Sequence, residues 1–251
     1  MPVAPSPTAD PLAPLVTLPG VSDAVGRVRD AVVAVHNHPA NRRGFPANAA
    51  EGALRGARAS AAIDGAPLTP TTSDLVSDPL LAGAVRVADE HARLVPVWKS
   101  SPLQALARLH VLAAADLVPV PRHPDELGRP RPGTGDRLSL LADLVTGATA
   151  VPAPVLVAVV HGELLALAPF GTADGVVARA AARLAATASG LDPKSLVVPE
   201  VGHLRRLAEY RSAAAAFAAG GAEGVGTWVL HCCAQWEAGA REATSIAESR
   251  A

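Results

Sequence analysis

The stretch Ala168-Pro169-Phe170-Gly171-Thr172-Ala173-Asp174-Gly175-Val176-Val177-Ala178-Arg179 joins two helical patterns. Before it, residues 152–167 open with Pro152 and Pro154 and are apolar nearly all round, broken only by His161, Gly162 and Glu163. A helix without a polar face belongs at the centre of a fold. After it, a second helix carries Arg179 and Arg183. Pro, Gly, Thr and Asp between the two predict a turn-like loop.

Outward from this centre the pattern stays helical. Val21, Val25, Val28, Val32 and Val35 form a stripe at helical spacing, with Ser22 as its expected cap and His38-Pro39 as its stop. Residues 39–46 read as loop. A helix is expected at about 48–64, ended by Gly65. Residues 66–77, rich in Pro, Thr and Ser, read as a linker. Helices follow at about 78–94 and 101–117, the latter opened by Ser101-Pro102. Five prolines between 118 and 134 predict an irregular loop, and a helix covers about 136–146. Two helices close the chain at about 200–219 and 223–248, the last with Val225, Trp228, Cys232 and Trp236 on one stripe. No strand run and no internal repeat is evident. The class is all-α. Residues 1–20, with six prolines, read as a mobile leader, and 21–251 as one domain.

Composition narrows the function classes. Hydrophobic residues at 49% permit a sizeable core, and aromatics at 3% require it to be built from Ala, Val and Leu. A net charge of -1 without a basic block excludes the footprint of a nucleic-acid binder. Apolar runs such as Val155 to Val160 are far too short to span a bilayer. No signal-peptide pattern is evident, and adjacent Cys232 and Cys233 cannot form a disulfide framework. A cytoplasmic location follows as the expectation. Lysine occurs only at Lys99 and Lys194, a bias expected of a GC-rich bacterial genome.

The loop resembles the signature of the Fic/Doc (Fido) family, which reads His-Pro-Phe-x-Asp/Glu-Gly-Asn-Gly/Lys-Arg-x-x-Arg. Pro169, Phe170, Gly175 and Arg179 match it, and His161 lies where members often carry a histidine. Upstream, Ser60-Ala61-Ala62-Ile63-Asp64-Gly65 is similar to the family's inhibitory motif, Ser/Thr-x-x-x-Glu-Gly/Asn, with Asp for Glu. Tyr210 and the Trp228 region resemble the family's closing helices. The resemblance covers residues 22–248 and implies a Fic-like helical bundle with an inhibitory-type helix at about 48–64. The prolines around Leu127-Gly128-Arg129-Pro130-Arg131 imply that the family's flap hairpin, a docking edge for target chains, is reduced or absent.

The departures fall on the chemistry that the resemblance implies. The general base of the family is Ala168 here, a loss on the order of 10²–10⁴-fold. The acidic Mg²⁺ ligand is Thr172, a poor donor to a hard cation. The first phosphate arginine is Val176 and the asparagine is Asp174, which places negative charge where phosphate would sit. Ala173 replaces a glycine and is less suited to positive φ. Arg179 remains, and Asp64 is expected to pair with it as a latch. Gly171, Gly175 and Arg179 are the residual candidates for holding an anion at the helix N-terminus, although an ordinary helix start capped by Thr172 or Asp174 is the favoured reading.

Other candidates have plainer explanations. His161 on an apolar helix is expected to be a hydrogen-bonded core residue. His36 and His38 lack a carboxylate neighbour in sequence and are expected to be solvated. His231-Cys232-Cys233 points to different helix faces, giving core packing plus one exposed thiol. Arg42, Arg43, Arg129 and Arg131 are loop arginines at the surface, fitting either guidance of an acidic partner or plain solubility. No metal site and no cofactor is expected. The expected function is that of a pseudoenzyme acting by binding or regulation with a protein partner. The alternative is a divergent Fic enzyme using ATP and Mg²⁺ to move AMP, or another phosphate-containing group, onto a protein hydroxyl, with Asp174 or His161 as base. A third is a nucleotide-binding module without turnover.

Overall fold

The computed structural model describes residues 10–68 and 77–250, and among these every regular element is helical. In order they are α1 (Ala13–Val16), α2 (Val21–Asn37), α3 (Pro39–Arg43), α4 (Phe45–Ile63), α5 (Pro79–Ser100), α6 (Pro102–Ala114), α7 (His123–Glu126), α8 (Gly135–Asp143), α9 (Ala153–Leu167), α10 (Asp174–Ala188), α11 (Pro199–Arg205), α12 (Leu207–Ala219) and α13 (Gly221–Ser249). A 3₁₀ turn, Val120–Arg122, precedes α7, and a π-type turn, Leu144–Ala148, follows α8.

The apolar segment after Pro152 becomes α9, where Val155, Ala158, Val160 and Leu164 are fully buried. Its neighbour along the chain, α10, is also buried nearly all round. The two pack side by side and form the centre. On one side α5 and α6 cover α10. On the other, α13 backs α9 and carries α2, α11 and α12. The valine stripe of α2 is that contact: Val21, Val28 and Val35 are at most 1% exposed. Aliphatic and alanine side chains supply most of this core, which suits helices that approach closely. The closest approach is at Gly83 of α5, where a Cβ would lie 2.1 Å from the backbone oxygen of Ala113 on α6.

Several local expectations are corrected. Ser22 does not cap α2; the N-cap is Gly20, with φ 76° and no side-chain bond. Residues 39–43 are not loop but α3, started by Pro39. The helix expected over 200–219 is broken at Arg206 into α11 and α12. Helix α5 runs to Ser100 through Pro96, whose missing N–H does not end it. Of the leader, residues 1–9 lie outside the described residues. Asp10 accepts from Thr149 Oγ1 at 2.8 Å and Ala150 N at 2.7 Å, so the following segment is tied to the body. The linker at 66–77 falls mostly on residues 69–76, also outside the described residues. Between Val118 and Thr134 there is no strand, only the 3₁₀ turn and α7. No helix among the described residues is long and apolar enough to cross a membrane.

Gly83→Ala tests the packing of α5 on α6. Backbone atoms cannot yield as side chains do, so the substitution is expected to cost about 1–3 kcal/mol in urea unfolding.

Candidate functional site

Helix α9 ends at Ala168, which turns into the left-handed region at φ 41°. Gly171 at φ 79° and Ala173 at φ 52° complete the loop before α10 begins. Ala173 thus takes the positive φ for which alanine is poorly suited, at a cost of about 1–2 kcal/mol. The loop is held from within. Asp174 sits in the first turn of α10 and reaches back, accepting from Phe170 N at 2.9 Å and Gly171 N at 2.7 Å. Burial raises the Asp174 carboxyl above the ordinary carboxylate range, against the pull of those two N–H groups. Its charge fills the anion-binding position that the backbone offers.

Three outside contacts brace the loop. Arg131 donates its backbone N–H to Pro169 O at 2.7 Å and its guanidinium to Ala168 O. Arg131 is exposed at the surface, as expected, and also clamps the loop. The His110 ring stacks on Phe170 with centroids 4.2 Å apart. Gly128 N donates to His110 Nδ1 at 2.9 Å, which leaves Nε2 to carry the proton and donate to Thr172 Oγ1 at 3.2 Å. Burial lowers His110 to about 4, so the ring is neutral at pH 7. His110 was not singled out in the sequence. Its one signal there is a histidine on the largely apolar stretch Leu109–Ala114.

Arg179 lies five residues into α10 and is 3% exposed. It donates to Ser60 Oγ at 2.8 Å, to Ser60 O at 2.9 Å, to Asp64 Oδ2 at 2.8 Å and to Tyr210 Oη at 3.3 Å. The expected Asp64–Arg179 pair is present, with the aspartate 23% exposed at its side chain. Burial works against the Arg179 charge, but the Tyr210 oxygen and the Asp64 carboxylate outweigh it and raise its pKa. Gly65, at φ 109°, ends the turn that carries Asp64. Gly175 makes room for that carboxylate: a Cβ there would lie 2.6 Å from both Asp64 oxygens.

Beneath Arg179 is a buried aromatic cluster. His161 Nε2 lies 2.9 Å from Tyr210 Oη, and His203 Nδ1 lies 3.2 Å from His231 Nε2. Burial pushes the Tyr210 hydroxyl up to about 12 and the His161 and His203 rings well below the usual histidine range. His161 is thus a bonded core residue, 3% exposed. Beside the latch, a cavity of about 600 Å³ opens between α9 and α12, lined by Asp64, Arg179, Tyr210 and Arg211 among others.

The remaining candidates are settled by tertiary contact. His36 is not simply solvated: its Nε2 lies 2.7 Å from Asp192 Oδ1, a carboxylate 156 residues away. Cys232 and Cys233 are both buried, so neither is the exposed thiol expected, and burial raises both thiols. No group of His, Cys, Asp and Glu with the makings of a metal site exists among the described residues. Val176 is buried, 2% exposed.

This arrangement of helices has known counterparts. A Fic family protein from Desulfovibrio desulfuricans G20 superposes with a TM-score of 0.72 at 20% identity, over 90% of this chain and 74% of that one. The fold is that of Fic proteins. Residues 134–508 of Fic-1 from C. elegans give a TM-score of 0.66 at 17% identity, over 92% of this chain and 73% of that one. No protein-family model and no curated protein matches the sequence. Within the Fic fold, the two stretches singled out in the sequence, 60–65 and 168–179, meet at Arg179.

Three outcomes are expected here. Asp64→Asn leaves a buried guanidinium without its counter-charge and should destabilise by about 3 kcal/mol or more in chemical denaturation. Arg179→Ala should lower the melting temperature, and an unchanged value would count against the latch. Acid should also destabilise. His91 and His110 titrate at about 4 in the folded chain, below the unfolded value of about 6.5. Between those values the unfolded chain binds more protons, so stability is complete above about pH 6.5 and falls as pH drops toward 4. A melting temperature flat over that range would contradict burial of neutral histidines.

Proposed function

We propose that this chain is a Fic-family pseudoenzyme, a protein that keeps the helical scaffold and acts by binding or regulation without efficient adenylyl transfer. One observation carries the reading: both anion-binding elements are already occupied by the chain's own carboxylates. Asp174 takes the loop N–H groups, and Asp64 takes Arg179. A nucleotide phosphate would have to displace both.

The fit to ATP and Mg²⁺ is poor in other respects. Ala168 offers no proton acceptor. Thr172 Oγ1, the neutral replacement for a metal-binding carboxylate, is engaged by His110. His161 lies wholly inside the core against Tyr210, and each Asp174 oxygen already accepts a loop N–H. An arginine at position 176 would enter an apolar interior at a cost of several kcal/mol. The lost residues are therefore not a simple set to restore.

Calorimetry with ATP and Mg²⁺ is expected to give no binding heat. Incubation of the protein with labelled ATP, Mg²⁺ and cell lysate is expected to give no labelled protein. Robust labelling that disappears in Asp174→Ala would overturn the proposal in favour of a divergent transferase. Binding without labelling would indicate a nucleotide-binding module.

A further inference from the structure

A second cavity of about 600 Å³ lies between α4, α5 and α10. Its walls are alanine and valine from all three helices, including Ala53, Ala57, Val87 and Val95. Phe45 and Leu54, both 36% exposed, also line it and present apolar surface to solvent. The volume falls within the usual range of small-molecule sites.

Its base is polar and organised. Arg183 of α10, with a side chain 11% exposed, pairs with Glu200 at 3.2 Å. The same guanidinium donates to Ser195 O at 3.1 Å and Ser195 Oγ at 2.9 Å. Ser195 is held at φ 50°, a left-handed conformation that a serine rarely adopts and that costs on the order of 1–3 kcal/mol. His91 Nε2 lies 3.1 Å from Thr187 Oγ1, and no bond to its Nδ1 is made among the described residues. Burial lowers His91 to about 4, so it is neutral and can offer a ring nitrogen at pH 7.

Charge on the lining decides the class of occupant. Two cations, Arg183 and Lys194, and two carboxylates, Asp89 and Glu200, line the cavity. Arg183 and Glu200 satisfy each other. The Lys194 ammonium donates to Asn41 O at 3.3 Å and lies 5.0 Å from the centroid of the Phe45 ring. The four formal charges sum to zero, so the lining as a whole favours neither an anion nor a cation. A bound ion would be desolvated against the alanine and valine walls, which is costly.

We propose that the cavity between α4, α5 and α10 binds a small uncharged molecule with an apolar body and one hydrogen-bonding head, the head meeting His91 and Ser195. Val176 of α10 borders this site, but the site does not depend on whether the loop before α10 is active. Ser60 lies on both sides of the matter: it lines the cavity and it accepts from Arg179. An occupant would therefore press on the helix that carries Asp64.

N-phenyl-1-naphthylamine, a neutral aromatic amine, is a suitable fluorescent probe. The full chain is expected to bind it saturably, with one-to-one stoichiometry and blue-shifted emission. Ala53→Phe and Ala88→Phe fill the cavity from partly exposed positions and should each weaken binding tenfold or more with the helical circular dichroism unchanged. Ala214→Phe, in the cavity beside Arg211, should leave binding intact. The wild-type chain gives an independent readout: the probe should slow hydrogen exchange in residues 45–60 and 84–95. The proposal fails if no saturable binding is seen up to the solubility limit of the probe. It also fails if binding survives both filling variants, if Ala214→Phe abolishes it, or if protection maps elsewhere. Equal binding of the anionic 8-anilino-1-naphthalenesulfonate would overturn the choice of an uncharged ligand.

Discussion

A guanidinium buried to 3% exposure at Arg179 sets the terms for the surrounding structure. A cation removed from water costs several kcal/mol unless it is paired and hydrogen-bonded. Its partners come from α4 and α12, which lie 115 residues upstream and 31 residues downstream. Satisfying one side chain therefore fixes the C-terminal turn of α4, the start of α12 and the middle of α10 relative to one another. Gly175 is part of the same constraint, because any side chain there would overlap the Asp64 carboxylate.

The loop before α10 obeys a related logic. Its backbone takes positive φ at Ala168, Gly171 and Ala173, two of them without the freedom of glycine. That strain is offset by contacts from three directions: Asp174 from within, Arg131 at the carbonyls, and His110 against Phe170 and Thr172. Thr172 and Asp174 are thus parts of a self-consistent set of contacts. Asp174 neutralises the backbone dipoles that would otherwise seek an anion, and Thr172 satisfies the neutral histidine beneath it.

Much of the fold was legible in the sequence because helical periodicity is a local property. The valine stripe of α2 and the all-round apolar α9 appear at the expected places, with the expected burial. Boundaries were less legible. Pro39 starts α3 where a loop was expected, and Pro96 sits inside α5, because a proline marks the loss of one N–H and not what neighbouring helices supply. The break at Arg206 has no local marker in a run that is helical on both sides.

The sequence by itself determined the class, the order of the long helices and the two short stretches that meet at Arg179, since each is encoded within a few turns of chain. It also placed Asp64 and Arg179 as partners through resemblance to the Fic signature. Only the tertiary structure decided what those residues do to one another. The closing of Asp174 onto Phe170 and Gly171, the stacking of His110 on Phe170, and the pairing of His36 with Asp192 depend on loop geometry or on segments far apart in sequence. The cavity between α4, α5 and α10 belongs to the same category. Empty space between helices is set by how their axes cross, and no pattern along one strand of sequence specifies that crossing.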